Sequence, residues 1–158
     1  MFLYSLLALA VVTALIFAAP LKAKVWATLA VVAAGALWAS ATAVGVLAGG
    51  HTVRLWATDV FLFGSDAGSM DPLSALFALI VSVGAVAAVL YSRGYLAHYL
   101  GRKSPAHISL HYTALATMFY AMLGVVTSEG GFSFLFFWEL MTVASFLLIL
   151  FDAERREV

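Results

Sequence analysis

PLSALFALIVSVGAVAAVLYSRGYL, residues 72–96, runs for 25 residues and meets its first charge only at Arg93. A helix of about 20 such residues crosses a hydrocarbon core of roughly 30 Å. Four further apolar runs are comparable in length, at about 2–19, 25–48, 108–127 and 131–151. The fold class expected is therefore all-α, a polytopic membrane protein with five transmembrane helices in one membrane domain over residues 1–158, with an extracytoplasmic loop at 49–70.

Composition agrees with this. Of 158 residues, 65% are hydrophobic and 10% charged, against about 45–50% and about 25% in soluble domains. The formal net charge is zero and no basic patch is present, which sets nucleic acid aside as a partner. No cysteine occurs, so disulfides, thiolate metal sites and cysteine nucleophiles are excluded.

The first run begins MFLYSLL and has no positive residues ahead of it, since Lys22 and Lys24 follow it. It is expected to be a retained span and not a cleaved signal. Seven of the eight Lys and Arg residues fall on one side of the five-span topology, with Arg54 alone on the other. Cytoplasmic loops are enriched in these residues, which predicts an N-terminus outside and a C-terminus inside. Tyr91, Tyr95 and Tyr99, spaced by four, are expected to anchor the cytoplasmic boundary. Residues 49–72, GGHTVRLWATDVFLFGSDAGSMDP, are too polar to span, and partial alternation from Thr52 to Phe63 predicts a hairpin or an interfacial segment. The small-residue run from Ala33 to Gly45 lets another helix approach the second span closely.

One residue breaks the pattern. Glu139, in FFWELMTVASF (136–146), lies about nine residues into the fifth span, roughly 13 Å deep. A charge near a bilayer centre costs at least about 2.5–3.5 kcal/mol on insertion scales, and such residues usually face a bundle interior or an ion path. Burial disfavours the charged form of a carboxyl and a nearby cation favours it, so a carboxyl in such a setting can load and unload a proton. The alternative is a protonated carboxyl that binds a neighbouring helix. Thr142, one turn on, is the candidate polar neighbour. No Lys or Arg lies deep in a predicted span, and Arg93 is read as a snorkelling boundary residue, so a cationic partner is expected from another polypeptide.

His98, His107 and His111 lie on the proposed cytoplasmic side. Imidazole titrates near neutral pH and can pass protons. His98 and His107 read as solvated loop residues, while His111, one turn inside the fourth span, is a candidate relay member. Two histidines without a neighbouring carboxylate make a weak metal site, and no bound metal or cofactor is expected in this chain. No nucleophile–base pair, phosphate-binding glycine loop or cofactor fingerprint is visible, so the chain is expected to be a non-catalytic membrane subunit.

Met70–Leu96 together with FSFLFFWELMTVASFLLILFD (132–152) resembles the antiporter-like, proton-conducting subunits shared by respiratory complex I, multisubunit cation/proton antiporters and energy-converting hydrogenases. The WELM form and the GYLAHYLGR segment are similar to the hydrogenase and formate-hydrogenlyase branch. The resemblance implies that Glu139 is the glutamate of the first five-helix repeat, paired with a lysine on a later span. It implies that Asp71 opens the third span as a structural residue, capping the helix ahead of Pro72. It also implies partner membrane subunits, one of them supplying the remaining helices and intramembrane lysines. Iron–sulfur clusters and a nickel–iron centre would reside in partners, and the location would be the cell inner (cytoplasmic) membrane, multi-pass and surrounded by lipid. The chain stops at FDAERREV, before the family's lysine-bearing spans, so either a split subunit or a truncated product is expected. A non-conducting scaffold subunit of such a complex is the competing expectation.

Overall fold

Four long apolar helices and one β-hairpin make up the computed structural model, which describes residues 11, 14, 16–20, 23–60, 64–97, 99 and 103–151. In chain order the elements are α1 (Lys24–Gly49), β1 (Val53–Val60), β2 (Gly64–Met70), α2 (Pro72–Ala97), α3 (Pro105–Thr127) and α4 (Gly131–Leu150). All four helices are long and apolar enough to cross a membrane, and the protein is an all-α polytopic membrane protein. The first predicted span, 2–19, lies largely outside the described residues, of which Ile16 to Ala18 are helical.

The helices are apolar on nearly every face, as lipid requires, so packing is decided by side-chain size. On α1 the buried positions Thr28, Val32, Ala36, Ala39, Ala43 and Val46 recur at steps of three or four. They meet Ala75, Ala78, Ser82 and Val89 of the similarly spaced face of α2. With no hydrophobic drive between helices in lipid, such small side chains allow the close backbone approach on which dispersion packing depends. The α1 helix ends at Gly50, whose φ of 63° is left-handed and whose N–H donates to Val46 O at 2.8 Å.

α3 sits between the α1–α2 pair and α4, and it buries nine residues, Phe119 and Ile108 among them. It begins at Pro105, three residues ahead of the predicted 108, because Ser104 caps it and proline suits the first helical position. His107 is accordingly in the first helical turn and not in a loop, although it is solvent-exposed. The Tyr120 hydroxyl of α3 donates to Val31 O of α1 at 2.8 Å.

The predicted loop folds as an antiparallel hairpin, with Val53 opposite Met70 and Val60 opposite Gly64, and an irregularity between Arg54 and Trp56. Its second strand, GSDAGSM, is poor in strand-forming residues. It is held by β1 on one edge, by a bridge from Gly68 to Ser128, and by the Glu129 N–H donating to Ala67 O at 2.9 Å. The indole of Trp56 lies over Gly68, where a Cβ would come within 2.2 Å of Nε1. A two-stranded sheet has open edges that lipid cannot satisfy, so the hairpin belongs outside the hydrocarbon.

At the opposite end, Tyr95, Tyr99, His111 and Phe151 form one aromatic cluster, with ring centroids 4.7 Å apart for His111 and Phe151 and 5.3 Å for Tyr95 and Tyr99. Boundary anchoring therefore does not describe all three tyrosines. Tyr91 is exposed, but Tyr95 and Tyr99 are half-buried and pack inward.

Candidate functional site

α4 carries the glutamate singled out by the sequence, and it is the least buried of the four helices. Only Ser133 and Ala144 are fully buried on it. Its inner side rests on α3, where Gly124 leaves room for the Phe137 ring; a Cβ there would lie 2.4 Å from that ring. Glu139 is on the other side, on an exposed face with Leu135, Trp138, Thr142, Val143 and Phe146. It stands eight residues beyond Gly131, roughly 12 Å along the axis. Among the described residues no hydrogen bond or ion pair reaches it.

The other residues expected to act with Glu139 are not gathered around it. The Thr142 hydroxyl donates to Trp138 O at 3.0 Å and so is committed to its own helix. His111 is 8% exposed, its ring 4.7 Å from Phe151 and 6.0 Å from Tyr95, with no hydrogen-bond partner at Nδ1 among the described residues. Phe151 is twelve residues beyond Glu139, so His111 is displaced from the carboxylate by roughly 18 Å along α4. His107 pairs its Nδ1 with Ser104 Oγ at 2.8 Å. His98 lies outside the described residues.

Asp71 stands directly before Pro72, and its Oδ1 accepts the Ser74 N–H at 2.6 Å. That hydrogen bond, chiefly, holds its carboxyl below the ordinary value of 3.8.

Each end of α4 meets one charged side chain from a distant part of the chain. At the N-terminus, Asp66 of β2 is 5% exposed. Its Oδ2 accepts the Ser133 N–H at 2.8 Å, and its Oδ1 accepts the Ser133 hydroxyl at 3.0 Å and the Ala67 N–H at 2.8 Å. The first helical N–H groups have no partner within their own helix and carry partial positive charge, which favours an anion there. The approach depends on Gly130, where a Cβ would fall 1.9 Å from Asp66 Oδ1. At the C-terminus, the Lys103 ammonium donates to Phe151 O and lies 4.7 Å from the centroid of the Phe151 ring, matching the negative end of the helix. Lys24 does the same for the carbonyls of Ile16 and Phe17, at 2.9 and 3.0 Å.

Sequence reasoning missed Asp66, Ser133 and Lys103. One signal was available. The segment SEGGFS, 128–133, starts α4 with glycine at the cap position, where Ser, Thr, Asp or Asn would ordinarily supply an oxygen. The cap therefore had to come from elsewhere. Arg54, Asp59, Asp66 and Glu129 line an open polar cleft beside this joint. Among the described residues no three His, Asp or Glu side chains converge as a metal site.

α4 is thus an apolar helix with one carboxylate on an exposed face, without a partner among the described residues. No protein-family model matches the chain. Over 87 residues, 55% of its length, it is 39% identical to the Na(+)/H(+) antiporter subunit A1 of Staphylococcus aureus. The chain is similar to antiporter subunits. Over 88 residues, 56% of its length, it is also 35% identical to NAD(P)H-quinone oxidoreductase chain 5 of a Picosynechococcus species. These matches cover 10% and 12% of the two relatives, so the chain spans about a tenth of the curated relatives it matches. Neither relative is a hydrogenase subunit, and the hydrogenase branch favoured by the WELM and GYLAHYLGR segments has no support from them. What they support is the broader antiporter-like group, whose members named here are subunits.

Proposed function

We propose that this chain is part of a proton-handling, antiporter-like membrane subunit of a multisubunit complex, and that Glu139 is its proton-binding carboxylate. One observation carries the reading. Glu139 stands in the middle of an apolar helix on a face the bundle leaves uncovered, so in a membrane it needs a neighbour from outside these residues. A lysine or arginine on an adjoining helix fits that need. Its approach would stabilise the carboxylate and release the proton, and its withdrawal would let the proton return. The relatives favour a complex of the cation/proton antiporter or quinone-oxidoreductase kind. Redox centres such as iron–sulfur clusters would then belong to partner subunits. The gathering of Lys24, Arg93 and Lys103 at the end opposite the hairpin supports an inner-membrane location with the hairpin outside and the C-terminus inside.

Glu139→Gln tests this in the assembled complex, with proton transfer read in proteoliposomes. Glutamine keeps size and hydrogen bonding but cannot ionise, and the expected result is a loss of at least tenfold. Unchanged transfer would remove the proton-binding role and leave a membrane scaffold as the function.

A further inference from the structure

Asp66 lies outside every span, yet it is bonded directly to the helix that carries Glu139. Its carboxylate is almost fully buried and makes three hydrogen bonds, two of them to Ser133 in the first turn of α4. Next to it the Glu129 N–H and the Gly68–Ser128 bridge fasten β2 to the turn that precedes α4. From Ser133 to Glu139 the helix is unbroken, and six residues of helix transmit a rotation or a shift with little loss. α4 packs on α3 by one side, and only Ser133 and Ala144 of its residues are fully buried.

We infer that Asp66 is a positioning residue for Glu139: by capping α4 from the hairpin it sets the rotation and depth at which the carboxylate meets its partner. The inference rests on the reading of Glu139 as the proton-binding group. Arg54, Asp59 and Glu129 line the same cleft as Asp66. The hairpin thus does more than link two spans.

The test uses the assembled complex and two readouts, hydrogen exchange of the amides at 132–137 and proton transfer per assembled complex. Asp66→Ala removes the cap and is expected to speed exchange at least tenfold and to lower transfer at least fivefold. Asp66→Asn keeps one oxygen for the Ser133 N–H and is expected to restore transfer to within twofold. If Asp66→Ala prevents assembly, Ser133→Ala, which keeps the N–H bond to Asp66 but loses the hydroxyl's contacts with Asp66 Oδ1 and Gly130 O, is expected to raise exchange about threefold and lower transfer about twofold. Unchanged exchange in the variant that assembles would overturn the cap. Faster exchange with unchanged transfer would overturn the positioning role. Normal transfer in Glu139→Gln would overturn the proton-binding reading instead, with the exchange data still deciding the cap.

Discussion

The α1–α2 pair and α4 are held in opposite ways. Along α1 and α2 a seam of alanines, serines and valines touches over most of the helix length, and polar contacts are few. α4 is fastened by Asp66 at one end and Lys103 at the other, rests on α3 by one side, and leaves the face of Glu139 open. A seam of small residues is a commitment to one neighbour. End fastening fixes a helix while sparing its middle for a neighbour that arrives later.

The largest effect that would break this contrast is at the seam. Ala39→Leu or Ala43→Leu, both at fully buried positions, should overpack the contact and destabilise the fold by about 2–3 kcal/mol, read by unfolding in mixed detergent. Val143→Leu on the open face of α4 should change stability by less than about 0.5 kcal/mol in the isolated chain. Equal effects would erase the distinction. Next, Gly124→Ala should cost about 1–2 kcal/mol by driving a Cβ into the Phe137 ring, and a second change, Phe137→Ala, should remove most of that penalty. A result without rescue would mean that α3 and α4 meet elsewhere.

Helix ends give smaller effects. Asp71→Ala should cost about 1 kcal/mol at neutral pH by uncapping α2. Because the folded carboxyl is held below 3.8, this contribution is fully present above that value and is lost as pH falls through the folded one. Thermal unfolding of wild type and variant should therefore converge on acidification below about pH 4. Smallest of all, Tyr120→Phe should cost about 0.6 kcal/mol, the usual worth of an interhelical hydrogen bond in a membrane protein. A much larger loss would show that α1 and α3 rely on the Val31 carbonyl contact more than on packing.

The helices were legible because length and hydropathy are local properties; residues 72–96 announce α2 almost to the residue. The N-terminal extension of α3 was legible too, in Ser104–Pro105, but hydropathy alone placed the start at 108, after the polar turn. The unusual charge at Glu139 was visible as chemistry, whereas the direction it faces depends on which side of α4 rests on α3. The strand GSDAGSM could not be read from propensity, because its pairing with β1 and the α3–α4 turn decides it. His111 was legible as an imidazole within reach of a span, but its aromatic surroundings come from Tyr95 and Phe151, which are 16 and 40 residues away in sequence. The role of Asp66 lay furthest from view, since its partner is 67 residues on.

That separation also orders events during synthesis. At roughly 5–20 residues per second, Ser133 emerges about 3–13 seconds after Asp66. Throughout that interval the Asp66 carboxylate lacks the two bonds it makes to Ser133. The hairpin can be locked in its final place only after the first turn of α4 has been made, so the joint between them closes later than either strand pairs with the other.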